Sequence, residues 1–154
     1  MRLALIGCSG PKLDRAAPAR ELYTSRLFRA AVAYAEATCD DWAVLSARHG
    51  LVRSWRVLEP YDTTFEDLTR DQRGFWAWKV HKALLASEVC LEHADVVLLA
   101  GKEYSDRMTT EWRCQGVQGL AVPRSCEEPL RGLPVGKRYA WLVAETAKAG
   151  AVAP

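Results

Sequence analysis

Asp95-Val96-Val97-Leu98-Leu99-Ala100-Gly101 holds an unbroken apolar run, Val96 to Ala100, closed by glycine. Runs this short and this apolar predict a strand buried on both faces, as parallel sheets require. Leu3-Ala4-Leu5-Ile6-Gly7 and Trp42-Ala43-Val44-Leu45-Ser46 repeat the pattern upstream, and Gly119-Leu120-Ala121-Val122-Pro123 offers a fourth strand. Helical spacing fills the intervals. Ser25 reads as the N-cap of a helix reaching about Thr38, with Leu27, Phe28, Ala31, Tyr34 and Ala35 as its stripe. A longer helix is predicted from about Thr69 to Glu88, with Phe75, Trp76, Trp78, Val80, Leu84 and Leu85 near its apolar side. Trp76 and Trp78 fall on different sides of it, so one of them is expected in solvent. Shorter helices are predicted from about Glu103 to Trp112 and over 136–149, the latter with Tyr139, Leu142 and Val143 inward. The order βαβαβαβα predicts an α/β fold: a doubly wound three-layer sandwich around a mostly parallel sheet of about four strands.

Residues 1–149 read as one domain, and 150–154 as a tail expected to fray. No repeat or long linker divides the 154 residues, of which 49% are hydrophobic and 26% charged, ordinary for a globular chain. The formal net charge of +2 neither demands nor excludes nucleic acid. The five cysteines are odd in number and show no CxxC spacing, which argues against a disulfide framework or a zinc knuckle. Reduced thiols in a cytoplasmic protein fit better, with Cys39 and Cys90 expected as small core residues. The apolar start lacks the length and cleavage site of a signal peptide, and no run is long enough to span a membrane. The three histidines lack metal-ligand spacing, so neither a metal nor another cofactor is expected.

In open parallel sheets, ligands sit beyond the carboxyl ends of the strands. Those ends deliver Cys8-Ser9-Gly10-Pro11-Lys12, Ser46-Ala47-Arg48-His49-Gly50 and Gly101-Lys102-Glu103-Tyr104. In the first, the small residues leave backbone N–H groups open to an anion or a carbonyl oxygen, but the spacing matches neither a Walker loop nor GxGxxG. Lys12 reads as a surface lysine, a phosphate partner or a nucleophilic amine. Cys8 reads as a thiolate stabilised near Lys12 or as a packed thiol. His49 reads as an acid or base or as a hydrogen-bonded turn residue, whereas His81 and His93 read as structural. The loop over 53–66 holds Glu59-Pro60-Tyr61-Asp62, two carboxylates beside an aromatic ring that is suited to a base or sugar; a surface turn is the competing reading. Trp55, in the same loop, is placed to cover the site.

The strings Cys8-Ser9-x-x-Lys12-Leu13-Asp14, Ala19-Arg20-Glu21-Leu22-Tyr23-Thr24-Ser25-x-Leu27-Phe28 and Leu45-Ser46-Ala47-x-x-Gly50-Leu51-Val52, continued through Glu59-Pro60-Tyr61-Asp62, resemble a small bacterial and phage domain of unknown function over most of residues 3–110. More distantly, Ser9 to Asp14, Leu45 to Val52, Glu59 to Tyr61 and Ala100 to Tyr104 are similar to the YaaA peroxide-stress proteins. His49 stands where that family carries a tyrosine, and this chain lacks room for that family's DNA-binding helical hairpin. Cys8, Ser9 and Lys12 also resemble the core motif of archaeosine synthase, with Tyr23-Thr24-Ser25 supplying groups from further along. That resemblance implies a uracil-DNA-glycosylase-like sandwich and a lysine that forms an adduct with a modified base.

These readings predict an enzyme acting on a nucleobase, nucleotide or modified nucleic acid. It would work by N-glycosidic hydrolysis, with Asp62 or Glu59 at the sugar, or by attack of the Lys12 amine on the base. Lys12, Asp62, Ser9 and His49 are the expected catalytic groups. Cys8, Gly10, Tyr23, Ser25, Ser46, Glu59, Tyr61 and Tyr104 are the expected binding groups. The alternative is a non-enzymatic DNA-binding stress protein like YaaA, for which Arg20, Arg26, Arg48, Arg53 and Arg56 would form a face. The partner is expected to be a nucleotide or nucleic acid and not a membrane; free nucleotide and polymer stay unranked, and the oligomeric state stays open.

Overall fold

The computed structural model describes residues 1–8 and 10–152. Its central sheet has five strands in the order β4-β3-β1-β6-β7. Strand β1 (Arg2–Gly7) lies between β3 (Asp41–Ser46) and β6 (Asp95–Leu99), parallel to both. The three are the aliphatic runs of the sequence. Alternation along each explains why no polar residue interrupts them. Leu3, Leu5, Ala43, Leu45, Val96 and Leu98 enter the core on one face, and Ala4, Ile6, Val44, Val97 and Leu99 enter the core on the other. A strand covered on both sides has no face to give to water.

Helix α2 (Arg26–Thr38) and helix α5 (Val135–Val152) cover one face; α3 (Arg70–Leu85) and α4 (Lys102–Val117) cover the other. The fold is therefore an α/β sandwich with a five-stranded, mostly parallel sheet flanked by helices. Ser25 caps α2 by accepting the Phe28 N–H at 3.1 Å, and Phe28, Ala31, Tyr34 and Ala35 are buried, as their spacing predicts. Thr69 and Gln72 close a capping box at the start of α3. Trp76 is buried and Trp78 exposed, as their offset on the helix predicts.

Several details differ from the sequence reading. Ala47 to His49 alone make the turn after β3, and Gly50, at φ 73°, starts an antiparallel strand, β4 (Gly50–Arg53), which hydrogen-bonds back onto β3. The 119–123 stretch is not a strand. Gly119, at φ 75°, ends α4, and the last strand is the short β7 (Ser125–Glu127), parallel to β6 at the sheet edge. Arg124 and Ser125 anchor β7 on Asp95, which the pairing holds at about 2, below its ordinary carboxylate range. Phe75 lies one residue off the Trp76–Ala77–Val80–Leu84 stripe and is exposed; Cys90 is exposed beside His93 instead of in the core. Helix α5 continues to Val152, into the stretch expected to fray.

The two long loops are tied to each other. Strand β2 (Ala17–Pro18) pairs with β5 (Val57–Leu58), and the one-turn helix α1 (Ala19–Leu22) donates two backbone bonds to the carbonyls of Ser54 and Arg56. Among the described residues no helix is long and apolar enough to cross a membrane.

Candidate functional site

The sheet order places a switch point at the carboxyl ends of β1 and β6. The chain moves from β1 outward to β3, then crosses back over β1 to β6, and the crevice between diverging connections opens there. The two strands approach closely at this end, since a Cβ on Gly7 would stand 2.9 Å from the Cβ of Ala100. Two clefts open beyond them, of about 360 and 400 Å³. Both are lined by Cys8, Gly10, Gly101 and Tyr104, so they form one trough on either side of a shared ridge. The first is mostly apolar, with Ile6, Leu27, Phe28, Leu99 and Leu130. The second carries Lys12, Thr63, Thr64, Glu66, Lys102 and Glu103.

The loop that holds Lys12 is not slack. Leu13 N–H donates to Leu22 O and Thr24 N–H to Pro11 O, each at 2.9 Å, so Lys12 pairs with Tyr23 as a short antiparallel bridge. Gly10, at φ 75°, turns the chain into this bridge, and a Cβ there would meet the Ser25 Cβ at 2.9 Å. The Lys12 ammonium lies 4.4 Å above the Tyr61 ring, within cation–π range.

Beneath it runs a chain of buried hydroxyls. Tyr61 Oη bonds Tyr23 Oη at 2.7 Å and Ser46 Oγ at 2.7 Å; Ser46 Oγ accepts the His49 N–H at 3.0 Å. The His49 ring meets Tyr61 edge-on at 5.1 Å. The Trp76 indole N–H donates to the Ser46 carbonyl at 2.7 Å. On the ridge, Cys8 Sγ and Tyr104 Oη are 3.3 Å apart, and Phe65 packs on the Tyr104 ring at 4.4 Å. Burial raises all three phenols, Tyr23 to about 12 and Tyr61 and Tyr104 above the usual phenol range. They act as neutral hydroxyls, not as bases. Burial and the charges of Arg48, Arg56 and Lys79 lower His49, so its imidazole is neutral near pH 7.

The geometry thus joins Cys8, Gly10, Lys12, Tyr23, Ser25, Ser46, His49, Tyr61 and Tyr104. Ser9 lies outside the described residues. Glu59 and Asp62 are exposed and line neither cleft. The loop turns Glu66 toward the trough instead, and Glu103 sits there paired with Arg73 at 3.2 Å. Trp55 is exposed and lines neither cleft. Sequence reasoning also missed Thr63, Thr64 and Arg138. The two threonines follow the quoted Glu59–Asp62 stretch directly, but a loop has no period to say which side chains turn inward. Nothing in the sequence points to Arg138. It reaches the trough from α5, its Nε donating to Leu133 O at 2.7 Å. Among the described residues no three His, Cys, Asp or Glu side chains stand close enough to share a metal ion.

Of the arginines proposed as a binding face, Arg20 pairs with Glu36 and Arg53 with Asp41, and Arg26 lies over the Tyr139 ring. Arg48 and Arg56 are exposed and make no ion pair among the described residues.

A family model described as a family of unknown function (DUF6884) matches residues 3–144. No curated protein matches the chain.

Proposed function

The chain belongs to the DUF6884 family, and from that premise we propose that it is an enzyme that binds a nucleotide across the trough and acts on its base or its N-glycosidic bond. The observation that carries this reading is the division of the trough at the Cys8–Tyr104 ridge. One half is mostly apolar and of a size for a base; the other carries Lys12, Thr63 and Thr64, donors for a phosphate and sugar, with Lys102 beside them paired to Asp106. Helix α4 begins at Gly101 without a side-chain cap, so its first N–H groups add to the anion field at the same point.

Two reactions suit these groups. In hydrolysis, Glu66 activates water for attack at the sugar carbon; the base leaves with a proton and the sugar gains hydroxyl. In amine attack, the Lys12 nitrogen bonds to an electrophilic base carbon as that carbon's C=N π bond breaks; the π pair moves onto the base nitrogen, which takes up the proton that the amine loses through Glu66 or solvent. Mass spectrometry separates them: hydrolysis releases free base, whereas amine attack leaves added mass on the Lys12 peptide. The test is incubation with a panel of nucleoside phosphates and with DNA and RNA oligomers, repeated with Lys12→Ala and Glu66→Gln. Binding and product in the parent, with at least about a hundred-fold loss in one variant, support the reading. No nucleotide binding and no product from any substrate, or full activity in both variants, overturns it.

A further inference from the structure

Three large aromatic side chains stand well out in solvent: Trp55 at 73% exposure, Phe75 at 60% and Trp78 at 43%. Phe75 and Trp78, one turn apart on α3, stack on each other with ring centroids 5.5 Å apart and planes 22° from parallel. This pair serves neither core. Trp76, Ala77, Val80 and Leu84 make the buried stripe of the same helix, so Phe75 and Trp78 hold their rings toward water.

The charges that follow them are basic. Lys79 and Lys82 follow the pair on α3, Arg56 follows Trp55, and Arg48 sits in the turn that packs on α3 through Gly50 and Val80. Helix α3 packs on β4, which directly follows the turn holding Arg48, and β4 leads straight into the Trp55–Arg56 stretch, where the Arg56 N–H donates back to Arg53 O at 3.1 Å. None of these four cations has a carboxylate partner among the described residues. Asp71, one turn before Phe75, is the acidic group on the exposed side of α3.

We propose that this face, the stacked Phe75–Trp78 pair with Trp55, Arg48, Arg56, Lys79 and Lys82, binds single-stranded nucleic acid. Bases stack on the exposed rings and phosphates run along the unpaired cations. The surface lies outside the trough, and the inference does not rest on the nucleotide reading of the trough.

The probe is a labelled oligothymidylate of about 12 nucleotides, a span within the reach of such surfaces, titrated by fluorescence anisotropy at several salt concentrations. An abasic oligomer of equal length is the reference. The parent protein is expected to bind the base-bearing strand more tightly. Phe75→Ala with Trp78→Ala lowers that affinity by about ten-fold or more and removes the preference over the abasic strand. Lys79→Ala with Lys82→Ala keeps the preference and flattens the salt dependence by about 0.7 log units per cation removed. Both pairs are solvent-facing, and an unchanged melting temperature certifies the fold. Three results overturn the proposal: no binding by the parent at low salt, equal affinity of parent and aromatic variant, or equally good competition by polyglutamate, which would mark a site for acidic protein.

Discussion

Ser46 is the residue on which the most separate parts of the chain depend. Its hydroxyl bonds Tyr61 and accepts the His49 N–H, and its carbonyl accepts the Trp76 indole. Ser46→Ala removes the hydroxyl and leaves the His49 N–H without its acceptor and the Tyr61 hydroxyl with Tyr23 alone. The cost expected is about 1–3 kcal/mol, measured as a lower urea midpoint. Nucleotide affinity should fall as well, because the Tyr61 ring under Lys12 loses its anchor. Ser46 was legible as a strand end before a turn. Tyr23 and Tyr61 were expected at the same site, but the hydroxyl chain that bonds them to Ser46 was not legible, because they sit in two loops joined by the β2–β5 pair and the backbone bonds of α1. The same gap explains the carboxylates: sequence favoured Asp62 for standing beside Tyr61, yet Glu66, four residues on, lines the trough.

At the scale of elements, the strand-end loop and the α2 cap form one unit, and Gly10 is the point where they touch. Gly10→Ala places a side chain at φ 75° and drives its Cβ into Ser25. Gly119→Ala is the matched control, since it has the same φ but open space around the added Cβ. Both should lose about 1–2 kcal/mol to left-handed strain, read by thermal or urea unfolding. Only Gly10→Ala should also weaken nucleotide binding, because it moves the loop between both clefts. Equal binding by the two variants would separate the loop from the site. The three parallel strands were legible because burial on both faces leaves an uninterrupted apolar run. β4 was hidden because its four residues open on a positive-φ glycine and alternate only twice. Phe75 was misplaced because α3 carries aromatic residues on both sides, so apolar count alone does not fix its buried stripe.

For the whole molecule, the interface between α3 and the layer beside it carries a defect with a pH signature. His81 is fully buried, and neither ring nitrogen has a partner among the described residues. Burial lowers its pKa, with Lys82 acting the same way and Glu111 on α4 opposing. Above the unfolded value of 6.5 both states are neutral, and His81 adds no pH dependence. As pH falls below it, the unfolded chain takes up a proton that the folded chain does not, and stability drops by at most about 1.4 kcal/mol per pH unit until the folded imidazole protonates. His49, also lowered, contributes with the same sign. His81→Leu removes two unsatisfied nitrogens at similar volume, so it should stabilise by about 1 kcal/mol near pH 7. It should also reduce the slope below pH 6.5, leaving the part due to His49, which His81→Leu with His49→Asn removes in turn. Urea unfolding at half-unit steps from about pH 7.5 to 5 stays above the ordinary carboxylate range and reads both effects. A parent protein with flat stability over that interval, or a His81→Leu protein with the parent's slope, would show that the imidazole finds partners in solution.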